Sequence, residues 1–136
     1  MKLLKIIIIF LFFSSPSLAS GIGKGPVTLS QGTVDHFIDY IKGGYGKSPS
    51  TFLITTDGDG SSSWCCPEGS CQATNVPQAI LRCEQYWQKE CKVFAKRRTI
   101  KWKNDINPGK GKQSRIKSKW NRSEVNNKLR ELGFLN

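Results

Sequence analysis

The chain has 136 residues, with 21 Lys and Arg against 10 Asp and Glu, a formal charge of +11. That length excludes two independent hydrophobic cores, and the positive balance favours anionic partners over cationic ones. The excess is confined: residues 20–95 carry six basic and seven acidic side chains, residues 96–122 carry eleven basic and only Asp105, and residues 123–136 carry two of each.

Residues 1–19 read as an export signal. Lys2 and Lys5 precede the apolar run Ile6–Phe13, and Ser17-Leu18-Ala19 supplies small residues for cleavage after Ala19. Eight apolar residues fall short of the about 20 that span a bilayer, and no cysteine sits just after the run to take a lipid anchor. Export implies a periplasmic or secreted protein in a compartment where cysteines oxidise.

Residues 20–32, rich in Gly and small polar side chains, read as a flexible leader to a single domain spanning 33–136. A first helix is predicted from Thr33 as its cap, with Val34, Phe37, Ile38 and Ile41 on one stripe and Gly43-Gly44 as its end. Thr51–Thr56 is β-branched and aromatic between Pro49 and Asp57-Gly58-Asp59-Gly60, and predicts a strand. Residues 61–71, from the Gly/Ser run through Trp64-Cys65-Cys66-Pro67-Glu68-Gly69-Ser70-Cys71, read as irregular. A second helix is expected from Asn75 as cap, with Pro77 in its first turn and Ile80, Cys83 and Trp87 along one face.

After Cys91 the period changes to two, and 92–95 and 99–102 predict a hairpin. Its turn, Lys96-Arg97-Arg98, lacks the Gly or Asn that tight hairpins prefer. A basic connector, 104–122, opens on the turn-prone Asn107-Pro108-Gly109. A last helix over 123–132 is predicted with Ser123 as cap, Val125, Leu129 and Leu132 on its stripe, Gly133 as its stop and Phe134 folding back. The expected class is α+β: a small antiparallel sheet of about three strands with a crossing helix, flanked by N- and C-terminal helices.

The order of a strand ending in Asp-Gly, a Cys-containing loop, a helix with Ile80-Leu81-Arg82-Cys83-Glu84, then Cys91-Lys92-Val93-Phe94-Ala95 running to Ile100-Lys101-Trp102, resembles small exported bacterial domains of uncharacterised function. The resemblance covers about residues 51–103. It implies a small α+β domain and a helix-to-strand disulfide, and brings no catalytic residues.

Five cysteines allow two disulfides and one thiol, and spacing alone does not fix the pairing. The resemblance together with local placement favours Cys83–Cys91 and Cys66–Cys71. Cys65 is then the odd thiol, with exchange between Cys65 and Cys66 left open. The spacings x4, x11 and x7 from Cys66 match no common zinc module.

No catalytic set, cofactor or metal site is expected. His36, the single histidine, flanks Asp35 and lies near Asp39 on a helix, and nothing in its spacing brings it to Cys65. Asp57 and Asp59 are turn neighbours, unlike the opposed carboxylates of glycoside cleavage, and Ser62 stands where a calcium loop needs glycine. Trp102 shares its strand face with Ile100 and is assigned to the core, whereas Trp120, between Lys119 and Asn121-Arg122, is the candidate exposed ring.

The functional expectation is an exported, non-enzymatic domain with a basic anion-binding segment. Its candidate contacts are Arg97, Arg98, Lys101, Lys103, Lys110, Lys112, Arg115, Lys117, Lys119 and Trp120, and its partner an anionic polymer, an anionic membrane surface or nucleic acid. The competing readings are a solvated connector that binds nothing, a small secreted hydrolase or thiol enzyme built from Cys65, His36 or the Asp57/Asp59 turn, and a cationic effector.

Overall fold

A computed structural model describes residues 21–43, 47–67 and 76–136. In chain order they form α1 (Gln31–Lys42), β1 (Lys47–Thr55), β2 (Ser61–Pro67), α2 (Val76–Trp87), β3 (Cys91–Lys96), β4 (Thr99–Ile100), a single 3₁₀ turn (Lys112–Ser114) and α3 (Arg122–Glu131). The four strands make one antiparallel sheet in the order β2-β1-β3-β4. The class is α+β.

Each face of the sheet is covered by what its alternating side chains demand. Phe52 and Ile54 of β1 point to one side, where α1 lays Val34, Phe37, Ile38 and Ile41, all buried. The register shift between Phe52 and Leu53 opposite β3 is a bulge, and it turns Phe94 and Ala95 together into this core. Phe37, Phe52, Phe94 and Phe134 pack edge to face with centroids 5.0–5.3 Å apart, the geometry their ring quadrupoles favour. Leu53, Val93 and Cys91 face the other side, against Cys83, Ile80, Ala79 and Trp87 of α2. The Cys83–Cys91 disulfide ties that helix to β3.

Several boundaries differ from the sequence expectation. Residues 61–67 are a strand rather than an irregular loop. The Thr55 N–H donates to the Gly60 carbonyl and the Gly60 N–H to Thr55 Oγ1, closing a hairpin whose backbone pairing needs no apolar alternation in Ser61-Ser62-Ser63. The sheet therefore has four strands rather than about three. β1 runs through Pro49, which does not end it; a register shift between Pro49 and Thr51 absorbs the proline. Ser30, not Thr33, caps α1, its Oγ accepting from the Thr33 N–H, and Thr33 itself is buried.

The last helix starts at Arg122, not Ser123. Asn121 is its cap, in a reciprocal box with Glu124. Its end is as expected: Gly133 (φ +84°) takes the left-handed turn, the Phe134 N–H bonds the Leu129 carbonyl, and Phe134 is buried.

The expected loose leader is instead pinned. Ile22 bridges Val93 and Lys24 bridges Lys103, with Val27 and Leu29 buried beyond them. The Trp102 ring lies so close to Gly23 that a Cβ there would meet it at 2.0 Å. Trp102 is buried, as expected of a core residue, and its Nε1 donates to the Gly25 carbonyl.

Candidate anion-binding site

The hairpin between β3 and β4 turns without glycine by putting Arg97 at φ +52°, a conformation that costs an L-residue roughly 1–2 kcal/mol. Three contacts hold the turn in place. The Arg97 N–H donates to the Ser50 carbonyl (2.8 Å), and the buried Tyr40 hydroxyl donates to the Arg97 carbonyl (2.7 Å). Arg98 Nε donates to the Ile41 carbonyl (2.9 Å), placing a cation at the negative end of α1.

The expected basic connector does not trail away from this turn. Asn107, 1% exposed, donates through Nδ2 to the carbonyls of Ile100 (3.1 Å) and Trp102 (2.7 Å) and accepts from Ser114 Oγ (2.6 Å). Ser114 Oγ also receives the Lys110 N–H. The chain then returns to the hairpin: Arg115 bridges Thr99, the Ile116 N–H donates to the Arg98 carbonyl (2.7 Å), and the Ile116 side chain is fully buried. A buried amide with both ends satisfied thus fixes a segment that carries almost no apolar side chains.

Between these arms lies an open groove of about 1110 Å³. One wall is the hairpin, with Lys96, Arg97, Arg98 and Lys101; the other is the returning chain, with Arg115, Lys117 and Lys119. Ser48, Pro49, Ser50 and Thr51 of β1 line it from the sheet, and Thr99 and Ser118 add two more hydroxyls. Among the described residues no carboxylate lines the groove, and none of its seven cations forms an ion pair: the pairs present engage Lys89, Lys92, Arg122 and Lys128. Cations this concentrated and without counter-charge create a positive potential that an anion would neutralise.

Six of the ten candidate contacts, Arg97, Arg98, Lys101, Arg115, Lys117 and Lys119, meet in this groove. Lys103 lies elsewhere, its backbone paired with Gly23 and Gly25, and Lys110 and Lys112 are exposed around the 3₁₀ turn, outside the lining. Trp120, expected as an exposed ring, is half-buried. It packs against the core, with the Lys117 ammonium 6.0 Å from its ring centroid. Arg122, last of the basic block, pairs with Asp35 of α1. Lys96 and the β1 hydroxyls were not among the candidates; Lys96 was visible as the first residue of the basic block, but the pairing that brings β1 beneath it is non-local.

His36 engages serine hydroxyls rather than the Cys65 thiol. Both nitrogens of His36 engage serine hydroxyls of β2, Nδ1 with Ser61 (2.7 Å) and Nε2 with Ser63 (2.8 Å). In the neutral ring one serine donates to the bare nitrogen and the other accepts from the N–H. Burial holds the His36 pKa below the ordinary imidazole value, with Asp39 acting in the opposite direction. Cys65, a free thiol, packs at the edge of the α1-side core. Burial pushes its pKa up, against the pull of Lys47 and Arg98.

Asp57 accepts from Thr55 Oγ1, Lys89 Nζ and the Asp59 N–H, which hold its carboxyl well below the usual range. Its turn is thereby tied to α2's C-terminal side. No group of three or more metal-ligating side chains occurs among the described residues, and none of their helices is long and apolar enough to cross a membrane. The Cys66–Cys71 pairing lies outside the described residues. Comparison with protein-family models, with curated proteins and with solved structures found no match.

Proposed function

We propose that this chain is an exported, non-enzymatic domain that holds an anionic partner in the groove between the β3–β4 hairpin and residues 115–119. The observation that carries the reading is the meeting of two arms of the basic block: seven cations line one groove with no carboxylate among the described lining residues. The Cys83–Cys91 bridge supports an oxidising compartment, in keeping with residues 1–19 as an export signal.

The test is a salt titration of binding to heparin and duplex DNA. If about five groove cations meet phosphates on duplex DNA, log affinity falls against log salt with a slope near −4.5. Lys117→Ala with Lys119→Ala lowers affinity about tenfold at low salt and flattens the slope by nearly 2. Lys110→Ala with Lys112→Ala, the same charge removed outside the groove, changes affinity less than threefold. Failure of heparin, DNA and anionic vesicles alike to retain the protein at low salt would leave the basic block a solvated surface and end this reading.

A further inference from the structure

The chemistry of the groove says more than its charge. Seven cations share the lining with Ser48, Ser50, Thr99, Ser118 and the buried Thr51, while no aromatic side chain lines it among the described residues. Trp102 is buried against Gly23 and Gly25, Trp120 is half-buried on the core, and the exposed Trp64, across from Thr51 on β2, is not part of the lining. Proteins that hold single-stranded nucleic acid combine a basic track with rings on which the bases stack. This groove has the track without the rings. Its volume, about 1110 Å³, exceeds the 300–1,000 Å³ typical of a site for one small molecule, so it fits several repeats of a chain rather than one phosphate.

Resting on the anion-binding reading above, we infer that the occupant is a flexible, base-free polymer of phosphodiester-linked polyols. Its phosphates pair with the Arg and Lys side chains, and its hydroxyls exchange hydrogen bonds with Ser48, Thr99 and Ser118 of the same lining. Both walls are held by backbone hydrogen bonds and by Asn107, so little ordering of the protein is needed on binding.

The experiment compares, at low salt and equal phosphate number, a synthetic ten-repeat poly(glycerol phosphate), the oligonucleotide dT10, inorganic phosphate and phosphatidylglycerol vesicles, each titrated against the signal-free protein. The polyol polymer is expected to bind at least tenfold more tightly than dT10. Inorganic phosphate should bind more than a hundredfold more weakly than the polymer. Ser48→Ala with Ser118→Ala, both exposed positions, should narrow the polymer-to-dT10 ratio to under threefold without moving dT10.

Equal or tighter binding of dT10, or preference for vesicles over the soluble polymer, overturns the inference while leaving the groove an anion site. A ratio unmoved by the serine substitutions also overturns it, since recognition would then be by charge alone. Failure of all four probes to bind removes the anion-binding reading itself.

Discussion

The hydroxyl of Tyr40 on α1 donates to the carbonyl of Arg97 at the tip of the β3–β4 hairpin, across 57 positions of sequence and 2.7 Å of space. Arg97 occupies a left-handed conformation, so the hydrogen bond holds a strained residue whose charge lines the groove. Arg97→Gly and Arg97→Ala remove the same charge, but only glycine adopts φ +52° without steric cost. The glycine variant should therefore be more stable than the alanine variant by about 1 kcal/mol, while both lose anion affinity to the same extent. Urea denaturation and a binding titration on the pair check this; an alanine variant as stable as the glycine one would show the turn to be unstrained.

Asn107→Ala should destabilise the fold by about 2–3 kcal/mol, because it strips donors from two carbonyls and the acceptor from Ser114 in a buried setting. The same change removes the side-chain tie between residues 108–114 and the hairpin, leaving the Arg115–Thr99 bridge in place. Limited trypsin digestion should then cut at Lys110 or Lys112 several times faster than in the parent, under conditions where the parent remains folded.

What the chain disclosed by itself divides along the range of the interaction. The stripe of Val34, Phe37, Ile38 and Ile41 and the Gly133 stop were legible because their periodicity and conformation are local. β2 was not: Ser61, Ser62 and Ser63 show no apolar alternation, and they become a strand only because β1 offers them a pairing edge. The cap of α3 was misplaced by two residues since both Asn121 and Ser123 suit the position, and only the reciprocal bond with Glu124 distinguishes them. The charges of the groove were plain in the sequence. Their arrangement was not, because it depends on Ile116 returning to Arg98 and on a buried asparagine, neither of which leaves a periodic trace.

The Cys83–Cys91 bridge closes a short loop with a sequence separation of 8, worth about 2.5 kcal/mol in the chain-entropy description. Replacing both cysteines with alanine should lower the unfolding free energy by about that amount. Adding reductant to the parent should lower its stability in the same direction, by an amount that also includes any other bridge. Mass spectrometry of non-reduced peptides should find 83 joined to 91, and a free thiol at either position in exported protein would contradict the structure.

Stability should also respond to pH through His36. Its folded pKa is depressed by burial, so the unfolded chain, titrating near 6.5, binds the proton first as pH falls. The contribution is fully present above about pH 6.5, declines as pH drops toward the folded value and is constant below it. Replacing His36 with Gln should abolish that slope, which is the part of the pH profile to compare between parent and variant. Asp57 acts later: its depressed carboxyl supports the fold above about pH 4, and that support is lost as pH falls further toward the folded pKa.

The anchoring of residues 104–119 has a consequence for how the protein stores free energy. Eleven cations in 27 residues repel one another, and in an untethered chain they would spread apart and extend it. Here Asn107, Ser114 and Ile116 keep many of them confined, so the native state carries electrostatic repulsion that the unfolded state sheds. Salt relaxes it by screening, and an anion seated in the groove would relax it by neutralisation. Ligand binding and fold stability are therefore coupled through one shared term, and the domain is most firmly folded when its charge is matched.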